Sequence, residues 1–370
     1  MKFYLKRFCF YVVFSSVISG CVQNQGQVSS CPEQSSPSSL SKIHQQELKH
    51  LFPIGRYPKW GYMDRTGKMV IKPQFDLARR FSEHWAAVKI NNKWGFIDKN
   101  GKFVVHPQFV QVEDFSEERA AVRINWRWGF IDPTGKLIIE AQFAQVSNFN
   151  EGLAAFSGTI KEPNKKGYID RSGKVIIELQ SAHPDFDESL GFSNGLAPVW
   201  IGHYATLQGI FKGSGNPIQR YWGYIDRRGN QVIPLKYGYA DRFSECLAAV
   251  EINGKYAYIN TAGQTVIPPQ FEGADYFYEG LAPVKQNKKY GYINHTGHIV
   301  IQPQFSYASS FSEGLAIVKI SDKYGYINKS GKIVIYPQFD YAGNFYKGLA
   351  SVKLDRKFFY IDPMGRFIGN

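Results

Sequence analysis

Short apolar stretches alternate with polar turns along most of the chain, and one unit of this pattern is clearest between residues 86 and 109. Residues 86–90 and 94–98 are rich in β-branched, aromatic and small apolar residues, which favours two strands, here called A and B. A third strand, C, is predicted at residues 102–105. It ends before Pro107, because proline has no N–H to donate to a neighbouring strand. The pattern therefore predicts a three-stranded antiparallel meander followed by a connector of about twelve residues.

This unit occurs nine times. An Asp or Asn at the end of strand B marks each copy, and six of the eight intervals between these residues are 34 residues long: Asp64, Asp98, Asp132, Asp170, Asp226, Asn260, Asn294, Asn328 and Asp362. A fixed period of this size indicates a repeat architecture. The predicted fold is all-β, with stacked meanders in an open curved or superhelical array. A closed ring like a β-propeller is the alternative, which we consider less favoured because the first unit lacks a recognisable strand A while the last has all three strands.

The B–C turn is the most regular part of the unit. A glycine lies three residues after the Asp or Asn in all nine copies, from Gly67 to Gly365. A tight hairpin needs a left-handed residue there, which glycine adopts at little cost. The Asp or Asn side chain is expected to cap the turn. A calcium ladder is the alternative, but three copies carry Asn and no second carboxylate recurs at a ligand spacing.

Two sets of aromatic residues recur. Strand B begins with an aromatic residue in eight of nine units, usually followed by glycine, and most connectors carry two phenylalanines such as Phe109 and Phe115. The connector phenylalanines are expected to join neighbouring units as core. The strand-B residues are interpreted as packing between repeats, with stacking on sugars as the alternative.

These residues resemble the bacterial WG-repeat (also called KWG) family. The shared pattern is Lys-Trp-Gly-Phe-Ile-Asp-x-x-Gly-Lys-x-Val-Ile-x-Pro-Gln-Phe, then Phe-Ser-Glu-Gly-Leu-Ala-x-Val, and it covers nearly everything after residue 54. Lys166, Ala257 and Phe359 depart from it. The resemblance implies an all-β hairpin array, often exported and largely without an assigned activity. Some members are similar to cell-wall-binding repeat modules.

The first residues are typical of an export signal. Lys2, Lys6 and Arg7 precede an apolar run that is too short to span a bilayer, and Ile18-Ser19-Gly20-Cys21 resembles a bacterial lipobox. We expect residues 1–20 to be a lipoprotein signal peptide and Cys21 to carry the lipid anchor; an ordinary cleavable signal is the alternative. Residues 21–53 are interpreted as a flexible tether with a short helix, and residues 54–370 as the nine repeats. The predicted location is the cell envelope, at the outer membrane if the organism has two membranes.

The net charge of the chain indicates which kind of partner it binds. The formal net charge is +13, and a basic exported protein is expected to meet anions such as lipid head groups, wall polymers or acidic glycans rather than nucleic acid. Eight basic residues stand directly before the aromatic position of strand B and form a candidate anion-binding row: Lys59, Lys93, Arg127, Lys165, Lys255, Lys289, Lys323 and Lys357. The alternative interpretation is that lysines at hairpin tips keep the strands soluble and prevent edge pairing.

Insertions interrupt the period at about 159–166, 180–190 and 201–218. Long insertions in repeat arrays map to loops on one face, often the binding face, so the third is a candidate binding loop, with His203, Tyr204, Phe211, Lys212 and Arg220. A loop without function is the alternative. Of the remaining cysteines, Cys246 replaces the usual glycine of Ser-Glu-Gly-Leu-Ala and is interpreted as a small residue that fills a turn. A disulfide between Cys31 and Cys246 in an oxidising compartment is the alternative.

The sequence contains no recognisable catalytic set, metal-ligand spacing or phosphate loop, so we predict no catalytic residue, no metal and no cofactor. The expected function is a lipid-anchored, non-catalytic binding or scaffold module for a cell-wall polymer, a glycan or a protein partner. A structural spacer is the second hypothesis, and a hydrolase using residues 180–220 is the weakest.

Overall fold

The structure is a computed structural model and describes residues 50–56, 58–180, 183–184, 191–203 and 219–369. These residues form thirty-four strands and no helix, arranged as nine small antiparallel sheets. Each sheet corresponds to one sequence unit, so the prediction of an all-β repeat fold is confirmed. The predicted signal peptide, the tether up to residue 49 and most of the third insertion lie outside the described residues.

The sheets are numbered here in chain order. Sheet 1 contains β1 (Phe52–Arg56), β2 (Lys59–Met63) and β3 (Met69–Phe75), and sheet 2 contains β4 (Leu77–Ser82), β5 (Trp85–Ile90), β6 (Lys93–Ile97) and β7 (Phe103–Phe109). Sheet 3 contains β8 (Gln111–Val112), β9 (Ala120–Ile124), β10 (Arg127–Ile131) and β11 (Leu137–Phe143), and sheet 4 contains β12 (Gln145–Val146), β13 (Leu153–Ser157), β14 (Lys166–Asp170) and β15 (Val175–Glu178). Sheet 5 contains β16 (His183–Pro184), β17 (Leu196–His203), β18 (Gln219–Asp226) and β19 (Gln231–Tyr237).

Sheets 6 to 9 follow the same order. Sheet 6 contains β20 (Leu247–Ile252), β21 (Lys255–Asn260) and β22 (Thr265–Phe271), and sheet 7 contains β23 (Gly273–Ala274), β24 (Ala282–Gln286), β25 (Lys289–Ile293) and β26 (Ile299–Phe305). Sheet 8 contains β27 (Tyr307–Ala308), β28 (Leu315–Ile320), β29 (Lys323–Asn328) and β30 (Ile333–Phe339). Sheet 9 contains β31 (Tyr341–Ala342), β32 (Ala350–Leu354), β33 (Lys357–Ile361) and β34 (Phe367–Ile368).

Strands A, B and C pair as predicted, and the connector adds a fourth strand in most sheets. This short strand, such as β27, pairs with the end of strand A through Tyr307↔Lys319 and Ala308↔Val318. In sheet 6 it is reduced to a single bridge between Ala240 and Val250. These two-residue strands were not predicted, because an alternating pattern of apolar and polar residues needs about four residues to be recognised.

Strand B is buried along most of its length, whereas strand C alternates between buried and exposed residues. The glycine after the strand-B aromatic residue faces a bulge in strand C: a Cβ on Gly325 would lie 2.5 Å from the carbonyl oxygen of Ile335 and 2.6 Å from the nitrogen of Pro337. Tyr324 pairs with Phe339 but Tyr326 with Ile335, so strand C carries extra residues at the bulge. The glycine therefore lets two backbones approach closely, as expected for glycine inside a strand.

The core lies between successive sheets. One cluster joins Tyr258, Ile267 and Phe271 of sheet 6 to Phe277 of the following connector and Val284 of sheet 7, and all five are at most 1% exposed. The hydroxyl group of Tyr258 donates a hydrogen bond of 2.8 Å to the carbonyl oxygen of Asp275, which precedes that phenylalanine. The connector phenylalanines are core, as the sequence indicated.

Sheets 1 and 9 also contact each other and close the ring. Phe52, Met63, Leu349 and Tyr360 form a buried cluster, in which the rings of Phe52 and Tyr360 lie 5.5 Å apart. The Tyr360 hydroxyl group donates a 3.1 Å hydrogen bond to the carbonyl oxygen of Pro53. We refer to this contact between the first and last sheets as the seam.

The sheets thus form a nine-bladed closed ring, the alternative arrangement, and not the open array expected from the two ends of the sequence. The expectation failed because the ring closes through side chains and needs no strand shared between its ends. The expectation of an open array also rested on the apparent absence of strand A from the first unit. β1 is that strand, because Phe52 pairs with Met63 in the same way that Ala86 pairs with Ile97 in the second unit. The repeats therefore begin at residue 52, two residues before the predicted boundary.

Candidate functional site

The meander gives the ring two rims with different chemistry. The B–C turns and the turns that lead into strand A lie on one side, here called the turn rim. The A–B turns, the short strands and the ends of strand C lie on the other side, here called the hairpin rim. This separation follows from antiparallel pairing, which places alternate turns at opposite ends of a sheet.

On the turn rim, the Asp or Asn of each B–C turn caps its own turn. In the first unit, Asp64 Oδ1 accepts hydrogen bonds from the backbone N–H groups of Thr66 (2.8 Å) and Lys68 (3.1 Å) and from the Thr66 hydroxyl group (2.6 Å). The same pattern recurs with Asn294 and Asn328. Among the described residues, no three His, Cys, Asp or Glu side chains converge as a metal site. The turn-capping interpretation is therefore the one the geometry supports.

These caps predict a response to acid. Burial acts to raise the pKa of Asp64, but hydrogen bonds from Thr66 and Lys68 outweigh it and hold the pKa below its usual value. The hydrogen bond from Thr134 likewise lowers the pKa of Asp132. A lowered pKa means that the carboxylates stabilise the fold above their ordinary pKa of about 3.9, and that this stabilisation is lost as the pH falls further.

We therefore expect the melting temperature to fall less between about pH 5 and pH 3 when Asp64, Asp132, Asp170 and Asp226 are all replaced by Asn. The natural Asn turns show that an amide can cap, so little change is expected near pH 7. Scanning calorimetry across this range checks the prediction. Equal acid sensitivity of the variant and the wild type would contradict it.

A second motif on the turn rim links neighbouring sheets, and sequence reasoning missed it. In Tyr278-Glu279-Gly280-Leu281, Glu279 and Gly280 both have positive φ (54° and 86°), as a two-residue type I′ hairpin requires. A left-handed glutamate is unfavourable. Its carboxylate accepts a 3.0 Å hydrogen bond from the N–H of Gly314 in the next unit, which offsets that cost. Equivalent bonds are accepted by Glu83, Glu117, Glu151, Glu245 and Glu313.

The serine of the same motif also reaches the next unit. Ser312 donates a 2.8 Å hydrogen bond to the carbonyl oxygen of the connector Phe345, and Ser82, Ser116, Ser193 and Ser244 make the same bond. Because these groups are occupied in holding sheets together, the turn rim offers few free polar groups from this motif. The recurrence of this glutamate and this serine in most units was the signal that could have revealed them.

All eight residues of the predicted anion-binding row lie on the hairpin rim. Lys59, Lys165 and Lys323 are paired with carboxylates: Lys59 with Asp76 at 2.5 Å, Lys323 with Asp340 at 2.6 Å, and Lys165 with two glutamates. The other five have no ion-pair partner within the described part of the chain, and of these all but the half-exposed Arg127 are exposed: Lys93, Arg127, Lys255, Lys289 and Lys357.

A second set of cations lies beside the aromatic row. Residues directly opposite in an antiparallel sheet point to the same face, and Lys89, Lys285, Lys319 and Lys353 of strand A stand opposite the strand-B aromatic residue. The ammonium group of Lys319 lies 5.4 Å from the centre of the Tyr324 ring. Such contacts are within the range of cation–π attraction.

The aromatic row itself changes along the ring. Trp94, Trp128 and Trp222 are at most 9% exposed and pack within the core, which supports the packing interpretation for these units. Tyr256, Tyr290 and Tyr324 are half-buried, and Phe358 is 63% exposed. Packing therefore explains the row only in part.

The predicted binding loop is described only at its base. β17 and β18 extend past the other strands, and His203 pairs with Gln219 in their backbone ladder. The exposed Arg220 lies 4.4 Å over the ring of Trp200. Tyr204, Phe211 and Lys212 lie outside the described residues, as do Cys21 and Cys31. Cys246 occupies the second position of a type I′ turn with φ of 67°, where most units have glycine.

Nine small antiparallel sheets that close into a ring define a β-propeller built from tandem repeats. Eight successive segments match the model of the WG containing repeat: residues 60–94, 94–125, 128–157, 167–200, 222–256, 256–290, 290–324 and 324–358. The chain therefore belongs to the WG-repeat family, and the resemblance identified from the sequence is confirmed.

Solved structures show a likeness of fold. A crystal structure of the eukaryotic initiation factor aligns with a TM-score of 0.58 at 10% identity, over 86% of this chain and 95% of that chain. The C-terminal WD40 domain of Sif2 aligns more weakly, with a TM-score of 0.39 at 10% identity over 75% and 91% of the two chains. No curated protein matches the sequence. Within the described residues there is no helix of the length and apolarity needed to cross a membrane.

Proposed function

We propose that this propeller is a non-catalytic binding or scaffold module of the cell envelope, and that its ligand binds on the hairpin rim. The observation that carries the proposal is a set of basic side chains that are exposed there and have no carboxylate partner among the described residues: Lys93, Lys255, Lys289 and Lys357. The partner classes that fit are a cell-wall polymer, a glycan or an acidic protein.

The attachment belongs to the same proposal. We infer that Cys21 is lipidated after removal of residues 1–20, so that the ring is held at the membrane by its N-terminal segment, at the outer membrane in a two-membrane organism. Replacing Cys21 with serine and fractionating cells tests this. Release of the variant into the soluble fraction is expected, and retention at the membrane would reject lipidation as the anchor.

Binding is tested by a pull-down of the full chain against isolated wall polymers at low and high salt. We expect retention at low salt and release at high salt, because exposed charges are screened within about 8 Å at physiological ionic strength. Replacing Lys93, Lys255, Lys289 and Lys357 with Gln should weaken binding roughly tenfold or more.

A matched control removes the same charge from the opposite side. Lys68, Lys102, Lys136 and Lys174 follow the turn glycines, are exposed and lie on the turn rim. Replacing these four with Gln should leave binding within about twofold of the wild type. Equal loss in both variants would indicate a general charge effect and overturn the assignment of the hairpin rim. No binding at either salt concentration would favour a structural spacer instead.

A further inference from the structure

One arc of the hairpin rim combines aromatic rings with lysines in a regular order. In sheets 8 and 9, the register places a short-strand tyrosine, a strand-A lysine and a strand-B aromatic residue side by side: Tyr307, Lys319 and Tyr324, then Tyr341, Lys353 and Phe358. Sheet 7 has Gly273, Lys285 and Tyr290 in these positions. We refer to these residues together as the tyrosine–lysine arc.

Ring contacts join sheets 7 and 8 of this arc and recur within sheets 8 and 9. The Tyr290 ring of sheet 7 lies 6.3 Å from that of Tyr307 in sheet 8, and the Tyr307 ring lies 6.0 Å from that of Tyr324. In sheet 9, Tyr341 and Phe358 are 6.1 Å apart. Each lysine ammonium group lies 5.4 to 5.6 Å from the centre of the neighbouring strand-B ring. These contacts favour an arrangement in which the rings and the lysines lie side by side before a ligand binds.

Three residues of the arc are well exposed, in contrast to the strand-B tryptophans of sheets 2, 3 and 5. Tyr307, Tyr341 and Phe358 are 42%, 48% and 63% exposed, whereas the tryptophans of the equivalent row in sheets 2, 3 and 5 are at most 9% exposed. The short-strand position is Leu77, Gln111 and Gln145 in sheets 2 to 4. Clustered exposed aromatic residues mark interaction surfaces.

The lysines of the arc keep most of their charge available. Lys285 and Lys353 have no ion-pair partner among the residues that the structure describes. Lys319 has one, Asp322, at 3.2 Å, but that carboxylate is on a side chain 98% exposed. An ion pair exposed to this degree is weak and easily exchanged.

From this arrangement we propose that the tyrosine–lysine arc binds an acidic polysaccharide whose sugar rings carry carboxylates. Flat rings that expose one face suit the apolar faces of sugars, and ammonium groups beside them form charge-assisted hydrogen bonds with carboxylates. The lysines interrupt the apolar surface between rings, which suits a ligand that alternates apolar and acidic groups more than a lipid bilayer. Repetition of the set in adjacent sheets suits a polymer with its own repeat. The proposal rests on the proposed function and specifies its ligand and subsite.

The test measures how four probes bind to the full chain: polygalacturonate, a neutral dextran, poly-glutamate and vesicles containing an anionic phospholipid. Binding is measured by isothermal titration calorimetry, or by sedimentation for vesicles. The ring variant replaces Tyr307 and Tyr341 with Gln, which is the natural residue at the equivalent short-strand position of sheets 3 and 4 (Gln111 and Gln145). The charge variant replaces Lys285, Lys319 and Lys353 with Gln. The control replaces Tyr336 with Gln, because Tyr336 is 73% exposed but lies on strand C outside the arc.

We expect polygalacturonate to bind more tightly than poly-glutamate, and both arc variants to bind polygalacturonate roughly tenfold more weakly while the control is unchanged. Unchanged affinity in the ring variant would overturn the sugar-stacking inference but leave the proposed function standing. Equal or tighter binding of poly-glutamate would assign the arc to an acidic peptide, and preference for vesicles would assign it to a membrane; either result overturns the proposal. If the wild type binds none of the four probes, the proposal fails, and absence of binding to isolated wall polymers as well would remove the proposed function.

Discussion

Replacing Tyr360 with alanine is expected to open the ring at the seam and to lower the free energy of unfolding by about 3–5 kcal/mol. The side chain of Tyr360 is 8% exposed, contacts Phe52 and donates a hydrogen bond to Pro53. Its loss leaves a cavity and an unpaired carbonyl oxygen between two sheets that no backbone ladder connects. Urea unfolding measures the stability, and small-angle scattering measures the expansion of an opened ring.

Two control variants separate the effect of opening the ring from the effect of losing a buried side chain. Tyr326 is fully buried and its hydroxyl group donates to the carbonyl oxygen of Gly343 in the next unit, so its replacement with alanine should cost similar stability without opening the seam. Replacing Tyr360 with Phe removes only the hydrogen bond and should cost about 1 kcal/mol. An unchanged radius of gyration in the alanine variant of Tyr360 would show that the seam does not depend on this side chain.

The same phenol gives a second readout at high pH. Burial raises the pKa of Tyr360 to about 12. A raised pKa means that the neutral phenol stabilises the fold below its ordinary pKa of about 10, and that this contribution is lost as the pH rises from there towards about 12. The Tyr360→Phe variant should lack this component. Comparing the melting temperatures of wild type and variant over that range isolates it.

A valine in place of Gly325 is expected to destabilise the protein by about 3 kcal/mol or more. A Cβ at this position would approach the Ile335 carbonyl oxygen to 2.5 Å, and that oxygen belongs to the backbone of the strand-C bulge. A β-branched side chain adds two further methyl groups where strand C cannot move without breaking its pairing. The urea midpoint of the variant measures the loss.

The chain contains its own controls for this substitution. In sheet 6, Ala257 occupies the equivalent position, is fully buried, and the strands keep the same register. A single methyl group is therefore accommodated, so Gly325→Ala should cost clearly less than Gly325→Val, and Ala257→Gly should have a small effect. Equal costs for alanine and valine at Gly325 would contradict the steric explanation.

Local rules predicted the local structure well. The Asp or Asn with a glycine three residues later predicted the B–C turns, because a left-handed residue and a side-chain cap are needed there whatever the surroundings. The connector phenylalanines predicted core for a similar reason, since large apolar rings at a fixed offset after strand C need burial in any surroundings. These features depend on residues close in sequence.

Features that depend on neighbouring units were missed. The left-handed Glu279 is unfavourable within its own turn and is explained only by the Gly314 N–H of the next unit. Closure of the ring was missed because it depends on how the curvature of nine sheets accumulates, which no single unit encodes. Strand β1 was missed because Pro53 and Gly55 both disfavour a strand in isolation, although an edge strand accepts them. The exposure of Tyr307 and Tyr341 likewise depends on how far each sheet covers the next.

The seam joins Pro53 and Tyr360, which are 307 residues apart, whereas the hydrogen bonds of Glu279 and Glu313 to the next units span 35 residues. Local contacts form faster than distant ones, so the sheets can assemble one after another as an arc before the ends meet. Until sheet 9 arrives, the apolar side chains of Phe52 and Met63 at the free face of sheet 1 have no cover. A chain truncated before Leu349 would keep that face exposed and would be prone to associate with other molecules. The seam thus distinguishes a closed ring from an unfinished one.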